Sequence, residues 1–403
     1  MPAPDPAAIA GLVETHLERG YLVETLARLA AISTAVEPGF DTLMEPDDPK
    51  LVAYVQGVLR PELVRQGAYD LLDVPRNNLV VRLGSGASGR SLLIQNYTPS
   101  QHQQETDPHL AGRVGNARAY GCDEPAVFGQ GVSQNKAHQA VMLAVIGLLL
   151  RSGVQLRGRL YWAVNNEGRS SHACSDAIVA ALGERPAFGV IQIGTGLNIS
   201  LGNRGRVDVD VHLRGRAVHS STPEQGLSAI EGAHEVISRL RALRWADRHP
   251  LLGGRHAIVY KLRYAPVLPH TLPAEAFLTI DRRLLPGDDP AAAAEEVRAA
   301  IGDLAPYQVQ VTQGVFMLPA LVDAEHPGVR ALQAANRAVR GHEAEEYYGA
   351  GTFDAGGPNA HGIPTVMFGA SGRSTVTGTD FVTIAAVEAE ARVLAHLILS
   401  ELG

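Results

Sequence analysis

A chain of 403 residues exceeds the usual span of one hydrophobic core, so two domains are expected. With 45% apolar and 19% charged residues and a net charge of -7, the composition is that of a soluble globular protein and excludes nucleic acid or an anionic membrane as the natural partner. Two cysteines, Cys122 and Cys174, make no disulfide framework and suit a reducing compartment.

In chain order, the N-terminal Met1-Pro-Ala-Pro-Asp-Pro has no basic segment before an apolar one, so no signal peptide is expected and the cytoplasm is the expected location. Ile9, Leu12, Val13 and Leu17 recur at helical spacing, and Leu22, Leu26 and Leu29 continue it on a second helix. Asn78 to Leu83 and Ser91 to Gln95 are short β-rich runs, and the Gly-Ser-Gly-Ala-Ser-Gly turn at 84–89 predicts a hairpin or strand pair. Residues 99–128 read as a long polar loop.

The stretch Gly129-Gln-Gly-Val-Ser-Gln134-Asn-Lys136 then runs into the apolar segment Ala140 to Leu150. Its glycines permit a tight strand-to-helix turn, and the apolar run is too short for a bilayer, so it predicts a buried helix. Arg159 to Val164 and Phe188 to Ile193 read as buried strands around a helix at about 170–182. This alternation predicts a largely parallel sheet covered by helices on both faces.

Around Gly205 the pattern changes: Val207, Val209, Val211 and Leu213 alternate with Asp208, Asp210 and His212, as in a half-exposed antiparallel strand. A helix at 227–243, strands at 256–264 and 276–284, a helix at 289–302 and a strand at 307–313 complete an α+β unit. It has a four-stranded antiparallel sheet and two helices. From Pro319 the α/β pattern resumes, with a helix at 327–340, a strand from Ile363 to Phe368 and a terminal helix from about 380. The expected domains are therefore a discontinuous α/β domain, 1–205 with 319–403, and an inserted unit at 206–318.

Several motifs resemble those of the zinc amidohydrolase and peptidase family that includes acetylornithine deacetylase, succinyl-diaminopimelate desuccinylase, aminoacylase and carnosine dipeptidase. They are Gly202-Asn-Arg204-Gly205, Gly215-Arg-Ala-Val-His219-Ser-Ser-Thr-Pro223-Glu-Gln-Gly226, Asp281-Arg-Arg283-Leu-Leu-Pro286-Gly287, Gly351-Thr-Phe-Asp354 and Phe368-Gly-Ala-Ser-Gly372. The resemblance implies a zinc-exopeptidase-like catalytic domain, an inserted lid that dimerises, and a small acylated amino acid or dipeptide-like substrate.

It also implies zinc ligands, and there the chain departs from the pattern. Asn96 matches the family's first histidine and Thr98 the aspartate that orients it. Gln134 replaces the bridging aspartate of Gly-Arg-Gly-x-x-Asp-x-Lys. In Asn165-Asn166-Glu167 the general base becomes Asn166 and only Glu167 is kept. The remaining ligand positions fall near Ile193 and Val376. An asparagine amide does not titrate in the working range, so it is no general base.

The expectation from these residues is no metal and no cofactor, with Glu167 and Asn166 as the catalytic candidates. The candidate ligand-binding residues are His219, Arg283, His270, Asn96 and Gln134. The plainer readings are a solvated loop histidine for His219 and His270, a salt bridge for Arg283 and a loop hydrogen bond for Glu167. His102, His109, His138, His172 and His361 are the candidates for a relocated metal site, although no pair has zinc-site spacing. Cys174 and Cys122 read as small hydrophobes, Lys136 as structural and Asp354 as a support to the sheet.

Three functions stay open: hydrolysis of an acylated amino acid without the usual metals, non-catalytic binding of a ligand or subunit, and an ordinary zinc hydrolase whose ligands lie elsewhere. The expected partners are a small molecule and a second copy of the chain.

Overall fold

The computed structural model describes residues 5–36, 43–100, 107–372 and 379–403. Two compact units emerge: Met1–Gly202 with Leu321–Tyr347 and Gly357–Gly403, and Asn203–Ala320 with Tyr348–Gly356.

The first unit is built on a nine-stranded sheet. Its strands run Leu71–Val74, Asn78–Leu83, Arg159–Asn165, Ser91–Tyr97, Phe188–Gln192, Thr365–Phe368, Ile199–Asn203 and Ala320–Leu321. Glu346–Gly349 also pairs with Ile199–Asn203. The four strands at the centre are mutually parallel, and the flanking pairs are antiparallel. The central strands are continuous apolar runs because both faces are covered. On one face lie the helices Ala137–Ser152 and Ile384–Leu402, whose buried side chains include Val141, Leu143, Val145, Leu148, Leu394 and Leu397. Burying each such aliphatic side chain stabilises the fold by about 1.5–3 kcal/mol. On the other face Ala173–Leu182 packs Ile178 and Leu182 on Leu93, Tyr161 and Ala163.

Two sequence expectations are corrected here. The runs at 78–83 and 91–97 are not a strand pair, because Arg159–Asn165 lies between them, antiparallel to the first and parallel to the second. The turn at 84–89 packs instead on the segment before that strand, Ser85 N–H donating to Leu156 O and Ser88 N–H to Arg157 O. Gly84 is at φ +91°, and a Cβ there would stand 2.1 Å from Gly158 O. The loop read at 99–128 contains strands Val114–Asn116 and Pro125–Phe128. With Phe381–Thr383 they form a three-stranded sheet over a core of Leu110, Phe128 and Phe381.

In the second unit a four-stranded antiparallel sheet runs Ala257–Ala265, Glu275–Leu284, Gly205–Arg214, Gln308–Met317. Helices Ala229–Ala242 and Pro290–Ile301 cover one face, packing Val236, Leu240 and Val297 on Val207, Val209, Leu278 and Ile280. Alternation of inward and outward residues puts those valines on the core side. Asp289 caps the second helix, accepting from Ala292 N–H at 2.8 Å.

Candidate active site

Parallel central strands end on one edge of the sheet, where ligands bind in α/β proteins. Asn96, at the end of Ser91–Tyr97, is fully buried and donates from Nδ2 to Gln192 Oε1 at 3.2 Å. Gln192 in turn donates to Glu390 Oε1 at 2.8 Å. Glu390, fully buried on the last helix, also meets His138 Nδ1 at 2.9 Å and accepts from Ala370 N–H at 2.9 Å. Sequence reasoning missed Gln192 and Glu390. The only signal was a lone glutamate on the face of the terminal helix that carries Val387, Ala391 and Leu394. His138, a candidate for a relocated metal site, is instead held by this carboxylate.

The glycine junction folds as expected into a tight entry. Gly131 is at φ +76°, and a Cβ there would lie 1.9 Å from Ser100 Oγ. A widened helical turn, Val132–Lys136, leads into the buried helix. It leaves Gln134 half-buried and seals its neighbours. Ser133 Oγ donates to Asp380 Oδ1 at 2.5 Å, and Asn135 Nδ2 donates to Thr98 O at 2.9 Å. Lys136 Nζ donates to Ile32 O and lies 5.8 Å from the Tyr54 ring centroid. Burial pulls the Lys136 ammonium down to about 7, against the opposing pull of Asp380. Burial pushes the Asp380 carboxyl up to about 6, offset in part by its bonds from Ser133.

Glu167 and Asn166 follow strand Arg159–Asn165. Glu167 Oε1 accepts from Ser170 Oγ and from His172 N–H at 3.0 Å, while Oε2 accepts from Ser175 N–H at 3.4 Å. Its carboxylate thus sits on the start of helix Ala173–Leu182, where the exposed N–H groups and the helix dipole favour an anion. Ser171 and His172 take positive φ values of 48° and 68° to make that turn. Asn166 donates from Nδ2 to Asn77 O at 2.5 Å, and among the described residues nothing donates to its Oδ1.

The other histidines suggested for a relocated site are dispersed. Burial pulls His172 down to about 4, and His361 Nε2 pairs with Asp176 Oδ1 at 2.7 Å. His109 lies in the turn Pro108–Leu110, and His102 and the Val376 position lie outside the described residues. Cys174 is buried with its thiol pushed up to about 12 by desolvation, which leaves it inert as a nucleophile.

In the second unit His219 and His270 are brought together. Val218–His219 pairs with Thr271–Leu272, and the two exposed rings lie 6.0 Å apart. His219 Nδ1 bonds Ser221 Oγ at 2.8 Å. Arg283 stands apart from that pair: it makes an ion pair with Asp281 at 2.9 Å and donates to Thr352 Oγ1 at 2.6 Å and to Ala350 O.

Residues 201–308 match the family model described as a peptidase dimerisation domain, the M20 type. The chain is 30% identical over 168 residues to an acetylornithine deacetylase of Proteus mirabilis, covering 41% of each chain. Residues 201–308 are thus similar to the M20 dimerisation domain, and about two fifths of the chain is similar to an acetylornithine deacetylase. The chain spans about two fifths of the length of the curated relative it matches, 41%.

Solved M20-like structures show the same fold. An M20 family metallo-carboxypeptidase from Sulfolobus solfataricus aligns over 94% of this chain and 99% of its own, with TM-score 0.76 and 16% identity. Human carnosine dipeptidase 1 aligns over 99% of both chains, with TM-score 0.73 and 14% identity. No helix among the described residues is long and apolar enough to cross a membrane.

The likeness to M20 peptidases corrects the expectation of no cofactor. The Sulfolobus relative is a metallo-carboxypeptidase, and zinc is the cofactor the family implies. The residues present at the matched positions do not fit a zinc pair. Asn96 and Gln134 offer neutral amides in place of imidazole and bridging carboxylate, Asn166 stands at the general-base position, and the Glu167 oxygens are taken by its own loop and helix. Among the described residues no group of three or more histidines, cysteines or acids could hold a metal ion.

Proposed function

We propose that this M20-like protein binds a small N-acyl amino acid or dipeptide-like compound at the C-terminal edge of its central sheet, as an amidohydrolase-type hydrolase. The observation that carries this reading is the row of buried polar side chains Asn96, Thr98 and Asn166, 0–1% exposed, at adjoining strand ends. Side-chain amides at such an edge can read a ligand by hydrogen bonds, and buried polar groups without a partner are costly to keep. The likeness to an acetylornithine deacetylase and to carnosine dipeptidase supports the substrate class. His219, His270 and Arg283 are proposed separately as carboxylate-binding residues of the second unit.

The protein works as a homodimer. Strand Ala257–Ala265 is an edge of its sheet and exposes Ile258, Tyr260, Leu262 and Tyr264, an apolar row suited to a second copy.

A second reading, a non-catalytic ligand-binding homologue, is favoured by one observation: both Glu167 oxygens already accept hydrogen bonds from its own loop and helix. A panel of dipeptides and acylated amino acids separates the two, assayed for thermal stabilisation and for turnover after zinc loading and after chelation. Stabilisation with turnover supports the hydrolase, and stabilisation without turnover under either condition supports the binding protein. Neither effect with any member of the panel overturns both.

A further inference from the structure

The hydrogen-bond chain behind Asn96 fixes what kind of group this site can receive. Glu390 is a carboxylate and can only accept, so the Gln192 amide must turn its NH2 toward Glu390 Oε1, 2.8 Å away. That leaves Gln192 Oε1 as an acceptor, and Asn96 Nδ2 fills it at 3.2 Å. Asn96 Oδ1 is thereby the amide atom left over, buried and without a hydrogen-bond partner among the described residues. His138 Nδ1 and Ala370 N–H complete the root of the relay on Glu390.

Asn166 reaches the same state independently. Its Nδ2 donates to the Asn77 carbonyl, which can only accept, so its Oδ1 is again the atom without a partner among the described residues. Thr98 Oγ1 is likewise without a partner among the described residues. Thr98 N–H bonds Asn165 O, which sets Thr98 beside Asn166 just past the ends of neighbouring strands. Asn96 lies one residue before the end of Ser91–Tyr97, and Thr98 and Asn166 directly follow Tyr97 and Asn165, which are in register on neighbouring strands. All three are 0–1% exposed.

We infer that this triad of acceptors, set by the Glu390–Gln192 relay, receives a primary ammonium group of the ligand. An ammonium carries three donors and no acceptor, which three oxygens can accept, whereas a carboxylate would find the Thr98 hydroxyl as the one donor among them. The inference rests on the proposed ligand-binding reading and narrows it to compounds with a free amine, such as a dipeptide with an unblocked amino terminus. Gln192 and Glu390 act as positioning residues and touch no ligand.

The test is calorimetry on the full chain with glycylglycine and N-acetylglycylglycine. Glycylglycine is expected to bind at least about tenfold tighter, the scale of one well-made charged hydrogen bond. Asn96→Asp keeps or strengthens that preference, and Asn96→Leu abolishes it. Gln192→Met lets the Asn96 amide turn over, so the ratio of the two affinities collapses toward one. A merely structural role would lower Tm and leave the ratio unchanged, which would overturn the positioning assignment. Equal binding of both peptides, or preference for the acetylated one, overturns the ammonium site and leaves the parent reading standing. Stabilisation by sodium or potassium alone, with no added effect of glycylglycine, overturns it in favour of a bare cation. Binding of neither peptide, when other members of the wider panel do bind, overturns the ammonium site only.

Discussion

Glu167 accepts the backbone N–H of His172 at 3.0 Å, so the acidic residue kept at the matched ligand positions caps a helix of its own unit. Glu167→Ala is expected to cost about 1–2 kcal/mol of stability, the scale of losing a helix N-cap. Glu167→Gln should cost less, because an amide oxygen still accepts. Urea unfolding measures both. An unchanged stability accompanied by lost turnover would assign the residue to chemistry and not to the cap.

Lys136 makes stability depend on pH in a definite direction. Its ordinary value is 10.5 and burial lowers it to about 7 in the folded chain. Between those values the unfolded chain binds more protons, so stability rises with pH from about 7 toward 10.5 and is lowest below that window. Asp380 has the opposite sign lower down: raised from 3.8 to about 6, it makes stability fall as pH climbs through that range. Lys136→Met should flatten the alkaline slope of a Tm profile, and Asp380→Asn the acidic one. A wild-type slope that survives both changes would contradict the buried placement of these groups.

Glu390 is the root of a buried network, so its loss should be expensive. Glu390→Leu leaves His138, Gln192 and the Ala370 N–H without their acceptor and is expected to destabilise by about 3–5 kcal/mol. His138→Leu together with Glu390→Leu should cost less than the sum, since each removes the other's partner. A double-mutant cycle with no coupling would disprove the pairing.

His219 and His270 are exposed, and their truncation should leave stability within about 0.5 kcal/mol. If they contact the ligand, His219→Ala and His270→Ala weaken binding while Tm of the free protein holds. Binding that is indifferent to both would return them to the role of solvated loop residues.

The exposed edge strand gives a test of assembly. Ile258→Lys with Leu262→Lys puts two charges on the apolar row. Light scattering should then report a monomer where the wild type is a dimer, with little change in Tm of the isolated chain. A wild-type monomer at micromolar concentration would remove the dimer reading.

The sequence by itself determined the elements whose period is strong. Alternating Val207, Val209, Val211 and Leu213 fixed a strand with one buried face, and the apolar run after Lys136 fixed a buried helix, because side-chain spacing alone decides which face leaves water. It also showed amides where the family has zinc ligands, since side-chain type is explicit in the letters. Only the tertiary structure decided partners. Nothing local says that Arg159–Asn165 slots between two earlier strands, or that Phe381–Thr383 pairs with Pro125–Phe128 some 250 residues away. The roles of Glu167 and Glu390 belong with these. A carboxylate looks the same in a sequence whether it caps a helix, anchors an amide relay or takes a proton, and only its neighbours in space supply the donors that choose.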